Sequence, residues 1–423
     1  MKITILAAGS RGDVQPFVAL GLGLQAAGHD VTLCTAALFE SFVGGYGLKY
    51  AHMDDELIRL ADTKAGRAAL EGGGSKLQLL KLVQPMIRRM LDDAWAASQE
   101  ADAIIYHPKT LAGYHIAEKR GLPVFVSLPL PMLTPTRAFS NPALLPNVRL
   151  GGLVNRLTYT LMPFLTAPYM GTVNAWRRET LGLPPRSRFA SELIAPDGQP
   201  MPTLYSYSPH VVPNPPDWPE TTTAVGYWFL DRRGDWQPPA DLQTFLDAGA
   251  PPVYIGFGSM TGTHPEEKAR FTLEALRRTG QRGLIATGWG GLKADDLPDN
   301  VFVIQEAPHD WLFPRVAAVV HHGGAGTTAA GLRAGKPTII VPFIGDQPFW
   351  GQRVYELGAG PAPIPQKRLN ADNLAAAIQS AVSDPAISRR AAELGEKIRA
   401  EDGVGRAVAI INRRLGVRDA APA

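Results

Sequence analysis

The chain has 423 residues, more than one ordinary domain holds, so two domains are expected. With 45% hydrophobic and 19% charged residues it is globular, which excludes a disordered polymer. A formal charge of only +3 leaves no strong electrostatic footprint for nucleic acid. The one cysteine, Cys34, excludes an intrachain disulfide and a cysteine-based metal site, and its apolar surroundings predict a buried small hydrophobe.

Apolar runs at Ile3 to Ala8, Val31 to Thr35, Ala103 to Tyr106 and Val124 to Leu128 alternate with longer helical or polar stretches, the rhythm of parallel strands joined by helices. From Leu128 to about Tyr169 the chain is rich in proline and apolar side chains such as Leu130, Met132 and Phe139, which predicts irregular backbone and short helices. Those side chains could receive a rigid apolar molecule or simply pack a core. Prolines cluster again around Pro209 to Pro239. The expected boundaries are therefore a first domain over 1–215, a linker over 216–238 and a second domain over 239–395. The strand rhythm restarts at Val253 to Phe257, Leu284 to Thr287, Val301 to Ile304, Ala317 to Val320 and Thr338 to Phe343. Two doubly wound α/β halves follow from this pattern. The closing stretch is helical, and a helix within 396–423 would pack back on the first domain. No apolar run approaches the ~20 residues that span a bilayer, so a cytoplasmic chain is expected, with peripheral membrane contact left open.

Loops after strand carboxyl ends face the ligand crevice of such sheets. The first of them, Gly9-Ser10-Arg11-Gly12-Asp13, delivers a carboxylate. Asp13 can accept a proton from an attacking hydroxyl, with burial beside an apolar substrate raising its basicity, or it can cap the helix that follows. The glycines Gly21 and Gly23 lie too far from the strand for a dinucleotide fingerprint and predict close helix packing.

In the second half, His321-His322-Gly323-Gly324-Ala325-Gly326-Thr327-Thr328 lies between an apolar strand and an alanine-rich helix. Small residues at a helix start let backbone N–H groups reach a phosphate, and His322 and Thr327 could add side-chain hydrogen bonds. Ser259, in the turn Gly256-Phe257-Gly258-Ser259, is a second phosphate donor. Asp346 and Gln347 together offer donors and acceptors to sugar hydroxyls, although Asp346 could instead cap a helix. Trp289 and His309 follow strands and could line a flat heterocycle. There is no Asp-x-Asp triplet, and no catalytic metal is expected.

The chain resembles the sterol 3-beta-glucosyltransferases of glycosyltransferase family 1, which have the GT-B fold. The resemblance is carried by residues 9–16, Ala112-Gly113-Tyr114-His115-Ile116-Ala117-Glu118, Thr134-Pro135-Thr136-Arg137-Ala138 and Gly226-Tyr227-Trp228-Phe229-Leu230-Asp231. It continues through Tyr254 to Ser259, Pro308-His309-Asp310-Trp311-Leu312-Phe313-Pro314, the His321 to Thr328 turn and Gly345-Asp346-Gln347-Pro348-Phe349.

This resemblance implies two Rossmann-like domains facing a central cleft. The second would bind UDP-glucose or a related donor as co-substrate, and the first a lipophilic acceptor such as a sterol or triterpenoid. It further implies that Ser259, His322, Gly324, Gly326 and Thr327 hold the pyrophosphate, that Asp346 and Gln347 bind sugar hydroxyls, and that Asp13 is the base of an inverting, metal-independent transfer with no cofactor. Plant relatives carry a base-stacking tryptophan where this chain has Glu306, which leaves Trp289, His309 or backbone for the nucleotide base. The acceptor-binding residues stay unassigned. Transfer to another natural product, a nucleotide-sugar 2-epimerase and a noncatalytic nucleotide-sugar-binding protein are the alternatives.

Overall fold

The computed structural model describes residues 1–62, 76–148, 150–231, 234, 236–257, 265–286 and 297–417. They divide into two compact units, the first comprising Met1–Tyr207, Asn214–Leu230 and the stretch from Asp402, the second Ser208–Pro213 and Asp231–Glu401.

Seven strands form the first sheet: β1 (Lys2–Leu6), β2 (Asp30–Ala36), β3 (Lys49–Met53), β4 (Ala103–Tyr106), β5 (Val124–Leu128), β6 (Thr203–Tyr205) and β7 (Thr222–Ala224). Their order is β3-β2-β1-β4-β5-β6-β7, with every neighbouring pair parallel. Because a strand's side chains alternate between faces, Ile3, Ile5 and Ala7 enter one apolar core while Leu6 and Ala8 enter the other. Both faces of the sheet are therefore covered, as its apolar runs require. Cys34 is fully buried, and burial pushes its thiol pKa up.

Five strands form the second sheet: β8 (Val253–Gly256), β9 (Gly283–Ala286), β10 (Val301–Ile304), β11 (Ala318–His321) and β12 (Thr338–Ile340). The order β10-β9-β8-β11-β12, again all parallel, repeats the inner pattern of the first sheet. In each sheet the chain winds outward from the first strand and then returns to its other side. The order reverses between β1 and β4 in one unit and between β8 and β11 in the other, and ligands of doubly wound sheets bind at such reversals.

The stretch expected as a linker does more than connect. Its residues 222–224 form β7, and the chain changes units at 207/208, 213/214 and 230/231. Residue 396 belongs to the helix Pro385–Arg399 of the second unit, and the helix that joins the first unit is Gly403–Leu415.

That last helix docks on Arg11–Ala26, the helix after β1. Asn412 Oδ1 lies 2.7 Å from His29 Nε2, and Trp228 Nε1 donates to the Gly403 carbonyl at 3.2 Å. Gly23 is the close-packing glycine expected from the sequence, since a Cβ there would lie 2.3 Å from Val404 Cγ1 and 3.3 Å from Val408 Cγ2. Valine is stiff at χ1 and cannot swing clear. Gly23→Val should therefore lower the unfolding free energy by about 1–3 kcal/mol through overpacking. Chemical denaturation should show part of that loss restored by adding Val404→Ala.

Candidate active site

In the first unit the loops after β1 and β4 flank the sheet's reversal, and their side chains meet. Asp13 stands in the first turn of the helix Arg11–Ala26, where its Oδ2 accepts the Ser10 backbone N–H at 2.8 Å and the Ser10 hydroxyl at 3.0 Å. Ser10, not Asp13, holds the cap position, and Asp13 reaches back to it from the first turn with only one oxygen. Oδ1 receives Lys109 Nζ at 2.7 Å, and His107 Nε2 lies 3.9 Å from it. The Asp13 side chain is 16% exposed, so it is sheltered yet reachable.

Gly9 makes this approach possible. Its φ is +132°, and a Cβ would fall 2.3 Å from Asp13 Oδ2, so no other residue fits here without moving the carboxylate.

Burial alone would raise the Asp13 pKa, as expected from the sequence. The positive charge of Lys109, the nearby His107 and the hydrogen bonds from Lys109 and Ser10 outweigh it, and the net direction is down. Asp13 is consequently a carboxylate throughout the neutral range.

His107 is held in one tautomer. Its Nδ1 accepts the Lys109 backbone N–H at 3.1 Å, so the neutral ring carries its proton on Nε2, the atom facing Asp13. Burial pushes the imidazole down to about 4 despite the pull of Asp13, which keeps it neutral.

In the second unit β11 ends at His321, whose buried Nδ1 accepts the Gly323 N–H at 3.0 Å and fixes the turn. Gly323 has φ +94° and packs against Ile340, while a Cβ at Gly324 would collide with His322 Nε2 at 2.6 Å. The helix Ala325–Arg333 then begins with no side-chain cap on its N-terminus. Its first N–H groups have no intrahelical acceptors, which makes the helix start an anion site.

Gly326 faces open space, with nothing within 4 Å of where its Cβ would stand. Thr327 sits half-buried beside it on the first turn. His322 is largely buried and its Nδ1 has no partner among the described residues. Burial lowers its pKa to about 4, so it is a neutral donor. The rings of His321 and His322 stand at 89° to each other, which does not favour joint metal ligation.

Asp346 occupies the cap position of the helix Gln347–Glu356 but makes no side-chain cap bond. Instead its Oδ2 accepts the Trp350 indole N–H at 2.8 Å. Gln347 spends its amide oxygen on the Phe343 and Ile344 N–H groups, at 2.7 and 3.1 Å, which anchors the loop and leaves the Nε2 end as the group suited to a ligand. His309 is stacked on Phe313, with centroids 4.2 Å apart at 14°, and meets the Tyr254 ring edge-on at 6.2 Å. Ser259 and Trp289 lie outside the described residues.

The Glycosyltransferase family 28 N-terminal domain profile matches residues 3–139, and the Erythromycin biosynthesis protein CIII-like C-terminal domain profile matches residues 290–408. A sterol 3-beta-glucosyltransferase of Arabidopsis thaliana is 40% identical over 427 residues, covering 98% of this chain and 68% of that protein. The chain belongs to the sterol 3-beta-glucosyltransferase family.

A second member, from Emericella nidulans, is also 40% identical, but this chain spans only 30% of its length. Among solved structures, the glycotransferase of kitacinnamycin superposes with a TM-score of 0.72 at 22% identity, over 98% of this chain and 99% of that one. A Streptomyces glycosyltransferase complexed with thymidine diphosphate gives 0.61 at 20% identity, over 98% and 99%. These likenesses identify the fold as GT-B, and this family member is a glycosyltransferase.

His107 and Lys109 were not singled out in the sequence. Their signal was present, because they directly follow the recognised strand β4, and β4 is the strand that pairs with β1 at the reversal. The imidazoles of His107 and His322 also make a stability prediction. A histidine titrating at about 4 when folded and near 6.5 when unfolded gives stability that is complete above about 6.5. It is lost as pH falls toward about 4, because the unfolded chain takes up the proton first. Urea midpoints should therefore drop on acidification through that window, and His107→Gln should flatten the drop.

Proposed function

We propose that this chain transfers glucose from UDP-glucose to the 3β-hydroxyl of a sterol, with inversion at the anomeric carbon and without a metal. The names of its relatives support the substrates. The observation that carries the chemistry is the Asp13 carboxylate, ionised, largely sheltered and presented at the sheet's reversal.

Asp13 would take the hydroxyl proton while the acceptor oxygen forms its bond to the anomeric carbon and the bond from that carbon to the diphosphate oxygen breaks. The leaving electron pair adds negative charge to UDP. In the second unit that charge would meet the uncapped N–H groups at Ala325, Gly326 and Thr327, with His322 and Ser259 as side-chain donors and Gly324 admitting the approach. Asp346, oriented by Trp350, and Gln347 would hold sugar hydroxyls. Trp289 and His309 would contact the base.

The test is incubation with UDP-glucose alone and then with a panel of alcohols, read by product mass. A steroid glucoside carrying a β linkage, formed equally well in excess EDTA, is the expected result. Epimerised donor without acceptor would establish the epimerase instead, and a product only with phenolic or macrocyclic alcohols would displace the sterol.

A further inference from the structure

In the first unit, residues 150–165 present apolar side chains outward. The helix Gly152–Thr158 is patterned inside out: Asn155 and Thr158 point inward, while Leu153 and Leu157 are 68% and 61% exposed. The inward polar groups are fully engaged. Asn155 Nδ2 donates to the Arg137 carbonyl at 3.0 Å, Thr158 Oγ1 donates to the Asn155 carbonyl at 2.6 Å, and that same hydroxyl oxygen accepts the Asn141 N–H at 2.8 Å. The outward leucines are therefore the stable arrangement of this helix and not a packing accident, because turning it over would take Asn155 and Thr158 away from the Arg137 carbonyl and the Asn141 N–H and leave those buried groups unpaired.

The apolar face continues through Leu161 and, on the next short helix Pro163–Thr166, through Phe164 at 58% exposure and Leu165. Contiguous apolar surface of this kind marks an interaction site. The charge beside it is net positive. Between Glu118 and Glu179 the sequence contains no Asp or Glu, and Arg137 and Arg156 stand exposed beside the patch. Asp217, 3.7 Å from Arg156, accepts the Thr136 hydroxyl and the Arg137 N–H at 2.7 and 2.9 Å; its negative charge offsets one of the two arginines and leaves the other.

We propose that residues 150–165 dock the protein on the surface of an anionic lipid bilayer. An interfacial segment needs an apolar face that enters the acyl boundary and basic residues that stay at the headgroups, and this segment has both. Among the described residues no helix is long and apolar enough to cross a membrane, so the contact is peripheral.

The experiment is flotation of the full chain with phosphatidylcholine–phosphatidylglycerol vesicles and with phosphatidylcholine vesicles. Flotation requires no turnover, so it stands or falls separately from the sterol reading. The chain should float with the anionic vesicles, more weakly with the neutral ones, and less at high salt. The triple variant Leu153→Ser, Leu157→Ser, Leu161→Ser removes three of the inserting side chains at exposed positions and should bind ~10²-fold or more weakly with an unchanged thermal midpoint. Its turnover of an acceptor delivered in cyclodextrin should equal that of the parent. Absent flotation, or flotation that survives the triple substitution, would overturn the proposal. So would a dimer that the substitutions dissociate without any vesicle binding, which would make a second copy the occupant. Equal loss of turnover on the cyclodextrin-delivered acceptor would place the leucines in the acceptor pocket and overturn it as well.

Discussion

Asp13→Asn should lower kcat by ~10²–10⁴-fold, the range a general base supplies, while the protein stays folded. The amide keeps the shape of the carboxylate, and its oxygen can still accept the Ser10 N–H that Asp13 Oδ2 accepts at 2.8 Å. The helix cap therefore survives the change, while the proton acceptor and the ion pair with Lys109 are lost. Asp13→Ala would remove the cap as well and cost about 1 kcal/mol of stability besides, which separates the two roles. The pH profile adds a second signature. With Lys109 at 2.7 Å and its pKa held below the ordinary carboxylate value, Asp13 stays ionised on acidification well past the point where a histidine base would fail. kcat/KM should thus show no acid limb near 6.5, with folding verified at each pH. Lys109→Met withdraws the attractive charge and should move the acid limb upward. A turnover for Asp13→Asn within a few-fold of the parent would remove Asp13 as the base.

The sequence revealed those parts of this fold that rest on continuous apolar runs. Strands β4 and β5 are buried along their whole length and lie where the runs predicted them. β3 escaped because Lys-Tyr-Ala-His-Met at the sheet edge buries only its last side chain, leaving no apolar run to see. β6 and β7 are three residues each and are set among prolines, where composition reads as linker. At the site, the glycine turns were legible because backbone approach demands them, as Gly9 against Asp13 and Gly324 against His322 demonstrate. The partners of Asp13 were less so. Lys109 is 96 residues away in sequence, and only the pairing of β1 with β4 brings the two loops together. The direction of the Asp13 pKa shift was misread for the same reason, since burial is visible in an apolar sequence context and a lysine from another loop is not.

Gly326→Asp should weaken UDP binding by ~10²–10³-fold without destabilising the chain, an opposition of sign that a merely structural glycine would not give. The position lies in the first turn of the helix Ala325–Arg333, whose N-terminus has no side-chain cap. A carboxylate there is favourable to the free protein, because it answers the positive end of the helix dipole, typically by 0.3–1 kcal/mol. It meets no steric obstacle, since the space around the missing Cβ is open. A diphosphate seated on the same N–H groups would stand about 4 Å from the new charge, where like charges repel by roughly 4 kcal/mol at the effective dielectric of a protein surface. Every 1.4 kcal/mol is tenfold in affinity, which sets the expected loss. Calorimetric titration with UDP and a thermal scan of the free chain measure the two signs separately. Gly326→Ala is the companion, because it adds bulk without charge and should weaken UDP far less. If Gly326→Asp bound UDP as the parent does, the diphosphate could not sit at this helix start, and the donor site would have to be sought elsewhere in the second unit.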